Sequence, residues 1–167
     1  MFLKKLLGDK QRLPPSVPLN KIGLACLGGF LIIAVLALLA DAISTPLILG
    51  SFGATCVLVF AYPDAPFSQP RNVVLGHIIT TFIGLLFLTF LGPTILSLAL
   101  AVAMAIGIMI LFRIVHPPAG SNPVIIFLAQ PGWSFLIFPV ATGAMIIVIF
   151  ALIYLNLTRK ENYPKYW

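Results

Sequence analysis

Ile114-Val115-His116-Pro117-Pro118-Ala119-Gly120-Ser121-Asn122-Pro123 sets polar and helix-breaking residues inside an otherwise apolar chain. Lipid tolerates such a stretch only where protein or a water-filled cavity satisfies its backbone, so the segment must face inward. Two adjacent prolines cannot occupy a helix interior, because each ring removes a donor and collides with the preceding turn. The pattern therefore predicts an extended entry through His116-Pro117-Pro118. Ser121 or Asn122 then caps a new helix, and Pro123 takes its first turn, where a missing N–H is harmless. Val124 to Ala129 continue it to a stop near Gln130-Pro131-Gly132. The expected product is a half-helix whose unpaired N–H groups are aimed into the protein.

The rest of the chain agrees with a membrane setting. Hydrophobic residues make up 60%, charged residues only 8%, and the mean hydropathy is +1.12, which excludes a soluble domain. Lys and Arg number 10 against 4 Asp and Glu, and the excess lies at the ends. Lys4, Lys5, Lys10, Arg12 and Lys21 precede the first apolar run, and Arg159, Lys160 and Lys165 follow the last. The positive-inside rule then puts both termini in the cytoplasm, or on the equivalent side of an organelle membrane, with an even number of crossings. The membrane is the bacterial plasma membrane or, in a eukaryote, a plastid membrane. The basic balance reflects topology and anionic lipid, and no nucleic-acid partner is expected. Cys26 and Cys56 lie in apolar runs without metal-ligand spacing and read as small hydrophobes, so no metal or cofactor is expected. Met1 to Gly8 lacks a cleavable-signal pattern and reads as a short amphipathic turn on the membrane surface, ahead of an uncleaved signal anchor.

Three regions follow: a basic, Pro-rich segment over 1–21, a membrane domain over 22–157, and a basic, aromatic tail over 158–167. Within the domain, Ile22 to Ala40, Val73 to Leu91, a span begun by Pro93 and ended at Phe112-Arg113, and Trp133 to Leu157 are each long enough to cross. Asp41 to Pro46 reads as a turn. Leu47 to Tyr62 and the His116 segment are shorter and broken. These two are alike: an offset of 67 residues sets Gly53-Ala54-Thr55-Cys56-Val57-Leu58-Val59-Phe60 on Gly120-Ser121-Asn122-Pro123-Val124-Ile125-Ile126-Phe127, and then Val73 on Val140 and Gly76 on Gly143. If both broken segments cross, Arg71, Arg113 and both basic ends share one side. If both turn back, the two arginines move to the other. Charge therefore favours six crossings. The fold expected is all-α, with six membrane segments in two inverted three-segment repeats, about 22–91 and 93–157, the second and fifth segments being half-helices.

Several of these motifs occur together in a known order. The His116-Pro117-Pro118 triplet with Ala119-Gly120-Ser121-Asn122-Pro123, Gly50-Ser51-Phe52-Gly53-Ala54, Pro63-Asp64-Ala65-Pro66 with Gln69-Pro70-Arg71-Asn72, and the closing Tyr163-Pro164-Lys165-Tyr166-Trp167 resemble the HPP family of integral membrane proteins. The resemblance runs from about Leu19 to Trp167. The family is usually described with four transmembrane helices, against the six segments that charge favours here. Its cyanobacterial and chloroplast members are nitrite transporters, and the resemblance implies that activity.

Two half-helix N-termini facing one midplane cavity present N–H groups and positive dipole ends, which suit a small anion. The candidate substrate-binding residues are Ser51, Gly53, Ala54 and Thr55 on one segment and His116, Gly120, Ser121 and Asn122 on the other, with nitrite or nitrate between them. Pro117, Pro118 and Pro123 shape the second segment, and Arg71 stands at the pore mouth or serves as a topology anchor. The small residues can equally be read as close-packing positions. His116 reads either as a proton carrier beside the pore or as a donor to an orphan carbonyl, and His77 reads as a helix-to-helix hydrogen bond. An enzyme is not expected: Asp9, Asp41, Asp64 and Glu161 all fall outside the midplane, leaving His116 without a catalytic partner. The competing classes are a membrane assembly or regulatory module without transport and a permease for another small solute. A bundle this small has much lipid-facing surface, so a homo-oligomer is expected.

Overall fold

Each apolar run folds as a helix because, in lipid, only a backbone bonded within its own segment escapes the cost of unpaired N–H and C=O groups. A computed structural model describes Leu6 and residues 11–44 and 47–167. The amphipathic turn expected over Met1 to Gly8 lies, Leu6 apart, outside the described residues, as do Thr45 and Pro46.

The described elements are helical throughout. Helix α1 (Leu19–Ala42) starts at Pro18, whose carbonyl accepts the N–H of Lys21 and Ile22. Asp41 falls in its last turn and not in a loop, since nothing in Leu39-Ala40-Asp41-Ala42 breaks a helix. Helix α2 (Gly50–Cys56) widens into a π-helical turn over Val57–Ala61. A 3-10 turn at Pro66–Ser68 leads into α3 (Pro70–Leu91), which has Pro70 in its first turn. Gly92 takes φ +72, open to glycine at low cost. Helix α4 (Ile95–Leu111) then begins, with Pro93 left outside it and the Thr94 hydroxyl accepting the Ser97 N–H at 3.1 Å.

Pro117–Ser121 form a 3-10 turn and not the extended entry expected; only His116 is extended, at φ −134 and ψ 96. The fixed φ of proline suits the opening of a 3-10 helix, where its missing N–H has no partner to lose. Helix α5 (Asn122–Ala129) follows, and Gln130 closes it in the left-handed conformation. Ser121 does not cap α5, because its hydroxyl turns back to the Pro118 carbonyl at 2.8 Å. The last stretch is a 3-10 turn (Trp133–Leu136), a π-helical turn (Ile137–Ala141) and α6 (Thr142–Thr158). Phe138 breaks the helical line at φ −120 and ψ 120, as the residue before a proline tends to do.

Among the described residues, three helical stretches are long and apolar enough to cross a membrane: Leu19–Ala42, Pro70–Leu91 and Trp133–Thr158. Gly50–Ala61 and Ile95–Leu111 are shorter apolar helices. Neighbours run in opposite directions. Tyr154, late in α6, donates to the carbonyl of Leu24, early in α1, at 2.7 Å, and Arg71 at the start of α3 donates to the Phe112 carbonyl just past α4. Most of α1 faces outward, with only Gly28, Ile32 and Leu36 fully covered, as a helix bathed in lipid can afford.

Four glycines let the helices close, Gly28 beside the Phe60 and Tyr154 rings among them. A Cβ on Gly76 would lie 2.9 Å from His116 Cβ and 3.6 Å from Ala119 Cβ. One on Gly84 would lie 3.0 Å from Pro123 Cα, and one on Gly143 would run into the Phe52 ring. Leu47, Phe52, Val59, Ala144, Ile147 and Ala151 belong to the main core cluster, while Ile83, Ala101, Ala105 and Ile126 belong to a second cluster beside α4 and α5.

Candidate functional site

Four polar side chains meet in the middle of this apolar bundle. Thr55 of α2, His77 of α3, His116 and Asn122 of α5 are buried to within 1% of complete coverage. Thr55 Oγ1 lies 2.9 Å from Nε2 of His77, 2.9 Å from Nε2 of His116 and 3.0 Å from the carbonyl of Ser51, one turn back. The two imidazoles stand 5.1 Å apart between ring centres, and the Phe52 ring meets His77 edge-on at 5.2 Å. On the far side of His77, the Asn122 amide nitrogen lies 3.0 Å from Nδ1 and 2.9 Å from Thr81 Oγ1, and also reaches the His77 carbonyl at 3.2 Å. His116 Nδ1 donates to the carbonyl of Phe67 at 2.7 Å.

The sequence places these groups by local rules. Thr55 and Ser51 are one helical turn apart, so the threonine hydroxyl can bond back to the carbonyl at i−4. Gly76, beside His77, removes the side chain that would hold His116 away. Asn122 is the first residue of α5, which aims its amide at α3.

A second feature is a groove of about 730 Å³, lined by Gly50, Ser51, Ala54, Val57 and Leu58 on one side and Pro117, Pro118, Ser121 and Ile125 on the other. Ser51 Oγ is covered and, among the described residues, has no hydrogen-bond partner; Asn122 Oδ1 is in the same condition. No Asp, Glu, Lys or Arg lines the groove.

The structure thus brings together Thr55, His116 and Asn122 of the expected set, but the space between Thr55 and Asn122 is filled by the His77 ring. Ser51, Ala54 and Ser121 lie at the groove instead. Gly53 and Gly120 pack against nothing, since a Cβ at either would meet no atom within 4 Å. They are not close-packing positions. Arg71 is exposed and ties the start of α3 to the Phe112 carbonyl. His77, expected to make a helix-to-helix hydrogen bond, makes one on each side and so links Thr55 of α2 to Asn122 of α5. The signal available was that the 67-residue offset sets Thr55 on Asn122, two polar side chains in otherwise apolar segments.

One wall of the cluster is braced from the chain's end. Tyr163 donates to the Ser68 carbonyl at 2.7 Å, Tyr166 to the Pro66 carbonyl at 3.0 Å, and the Lys165 N–H to Gln69 Oε1 at 2.7 Å. Gln69, fully buried, also donates to the carbonyls of Pro63 and Ala65. These contacts fix the turn that carries the Phe67 carbonyl. Burial pushes the Tyr163 phenol above its usual value, and it stays a donor.

The bundle and its buried polar cluster define a polytopic α-helical membrane protein. Residues 14–164 match the transmembrane region that characterises the HPP family, and the chain belongs to that family. It is 36% identical over 178 residues to one Dictyostelium discoideum protein, covering 99% of this chain and 57% of that one. It is 34% identical over 179 residues to another, covering 99% and 63%. Both are named only as transmembrane proteins, and the chain spans about six-tenths of the length of these curated relatives. No solved structure matches it.

Proposed function

We propose that this protein carries a small inorganic anion across the membrane, nitrite first and nitrate second, with the anion seated in the groove between the first turns of α2 and the Pro117–Ser121 turn. The observation that carries this reading is the buried cluster of Thr55, His77, His116 and Asn122 beside a groove without carboxylates. Ionisable groups such as the two histidines are expensive inside a membrane protein and mark solute or proton paths by default. Ser51, whose hydroxyl is free to donate, joins the groove to the cluster.

An inverted repeat with facing half-helices supports the same reading. Under the 67-residue offset Gly76 corresponds to Gly143 and Phe52 to Ala119. The contact of Gly76 with Ala119 and that of Gly143 with Phe52 are then one contact made twice, with the units exchanged. Groove residues pair likewise, Gly50 with Pro117, Ser51 with Pro118, Ala54 with Ser121 and Leu58 with Ile125. With basic residues on the inner side, both termini are cytoplasmic, and the small bundle works as a homo-oligomer.

The test is uptake of labelled nitrite by proteoliposomes well above neutral pH, where nitrous acid does not leak through lipid. Saturable uptake that Ser51→Val abolishes supports the reading, and uptake no faster than empty liposomes by folded protein overturns it. One observation favours an assembly module without transport: His77 fills the space between Thr55 and Asn122, and the groove is mostly apolar. In that case folded protein moves no solute.

A further inference from the structure

The geometry points to a proton-binding site: one proton is taken up on Nε2 of His116, and none on His77, by a turn of the Thr55 hydroxyl. Its use in transport rests on the anion-carrier reading, but the site itself stands on the hydrogen-bond inventory alone.

A carbonyl only accepts, so the 2.7 Å contact with Phe67 requires an N–H on Nδ1 of His116. An amide nitrogen only donates, so the 3.0 Å contact from Asn122 requires a bare Nδ1 on His77, whose proton is therefore on Nε2. The two rings carry opposite tautomers. With both neutral, the bonds form a chain in one direction: Asn122 donates to His77, His77 to Thr55, Thr55 to Nε2 of His116, and His116 to the Phe67 carbonyl. The Ser51 carbonyl, 3.0 Å from the hydroxyl, then receives nothing from it.

Adding one proton completes the set. The lone pair of His116 Nε2 forms a new N–H bond, and that N–H donates to Thr55. The Thr55 O–H bond stays intact and rotates to Ser51, and both threonine lone pairs are filled, by His77 and His116. Every contact of the hydroxyl is then a hydrogen bond. His77 cannot take the proton, because a second N–H at Nδ1 would face the Asn122 amide donors.

No charged side chain makes a hydrogen bond or ion pair with either ring among the described residues. Arg71 on α3 bonds the Phe112 carbonyl, Asp64 before the Phe67 turn pairs with Arg159 and Lys165, and Cys56 on α2 sits in the neighbouring core cluster. A lone imidazolium here is costly, and an anion beside Ser51, whose carbonyl accepts the Thr55 hydroxyl, offsets that cost. Proton and anion therefore load together, and Thr55 is the positioning residue between them.

The chain has only two histidines. Nitrogen-15 NMR of histidine-labelled, tag-free protein in lipid bilayers with nitrate present resolves bare and protonated ring nitrogens. Over about pH 9 to about pH 5, one ring should begin as the Nδ1–H tautomer and become doubly protonated, while the other stays Nε2–H throughout. His77→Asn assigns the remaining ring. Thr55→Ser should keep the conversion and Thr55→Val lose it. Two rings of the same tautomer at high pH, conversion of His77, or no conversion overturns the proposal, even if Thr55→Val fails to fold. A converting His116 in protein that moves no anion overturns only the transport reading; anion uptake with both rings neutral overturns only the proton site.

Discussion

Asn122 holds His77 at two points, through the ring at 3.0 Å and through the main-chain carbonyl at 3.2 Å, so a residue of α5 fixes both the rotation and the tautomer of an imidazole on α3. Asn122→Leu removes both holds and leaves His77 Nδ1 buried without a donor. Leaving one such group unpaired costs about 1–3 kcal/mol in soluble proteins, and hydrogen bonds between membrane helices average less, about 0.6 kcal/mol each. Losing the ring, carbonyl and Thr81 contacts together should lower stability by roughly 1–2 kcal/mol. Unfolding in mixed micelles measures it, with a smaller loss expected for Asn122→Gln.

Gly76 and Gly53 separate two uses of glycine. At Gly76 a Cβ would stand 2.9 Å from His116 Cβ, an atom next to the backbone that has no room to give. Gly76→Ala should therefore push the His116 segment away from α3, cost about 1–3 kcal/mol, and break the contact of His116 with Thr55. At Gly53 a Cβ meets nothing, so Gly53→Ala should be neutral or stabilise by up to about 1 kcal/mol. Thermal stability of the two variants side by side checks the pair.

Asp64 makes one contact pH-dependent. Its partial burial opposes ionisation, but the Arg159 guanidinium at 2.6 Å and the Lys165 ammonium at 3.2 Å outweigh this and hold the carboxyl below its ordinary value of 3.8. A lowered value in the folded state means the contribution is complete above that ordinary value and fades as the pH falls through the folded one. Because the Asp64 side chain is 53% exposed, solvent screening limits the effect to less than about 1 kcal/mol. Asp64→Asn should flatten the acid limb of the stability curve and leave stability below it almost unchanged. An acid limb of full height in the variant would assign the dependence to another group.

How much of this could be read from the sequence depends on how far apart the partners stand. The apolar runs and the break at Pro117-Pro118 are local, and both appear as helices and a helix start. The form of the break was not legible, because proline's φ fits an extended strand and a 3-10 turn alike, and the choice fell to the Ala119 N–H reaching the His116 carbonyl at 3.0 Å. Thr55 and Asn122 were legible as a pair through the 67-residue offset. The ring between them was not, since His77 has no counterpart at Ala144 and its partners lie 22 and 45 residues away. Least legible was the tail: that Tyr163 and Lys165 hold the Phe67 turn depends on contacts across about 95 residues.

That brace supplies the last prediction. Tyr163 is 2% exposed, and its hydroxyl donates to Ser68, the neighbour of the residue whose carbonyl holds His116. Tyr163→Phe keeps the ring but leaves the Ser68 carbonyl short of a donor, a loss of about 1 kcal/mol. Gln69→Leu removes donors from Pro63 and Ala65 and the acceptor of the Lys165 N–H at once, and should cost more, roughly 2–3 kcal/mol. In both variants the damage should spread inward. Hydrogen exchange at the amides of residues 67–69 should speed up, and with Phe67 less firmly held, His116 should lose its preference for the Nδ1–H tautomer. If exchange speeds up while the His116 tautomer is unchanged, the tail braces the surface turn alone and the histidine is held from the Thr55 side.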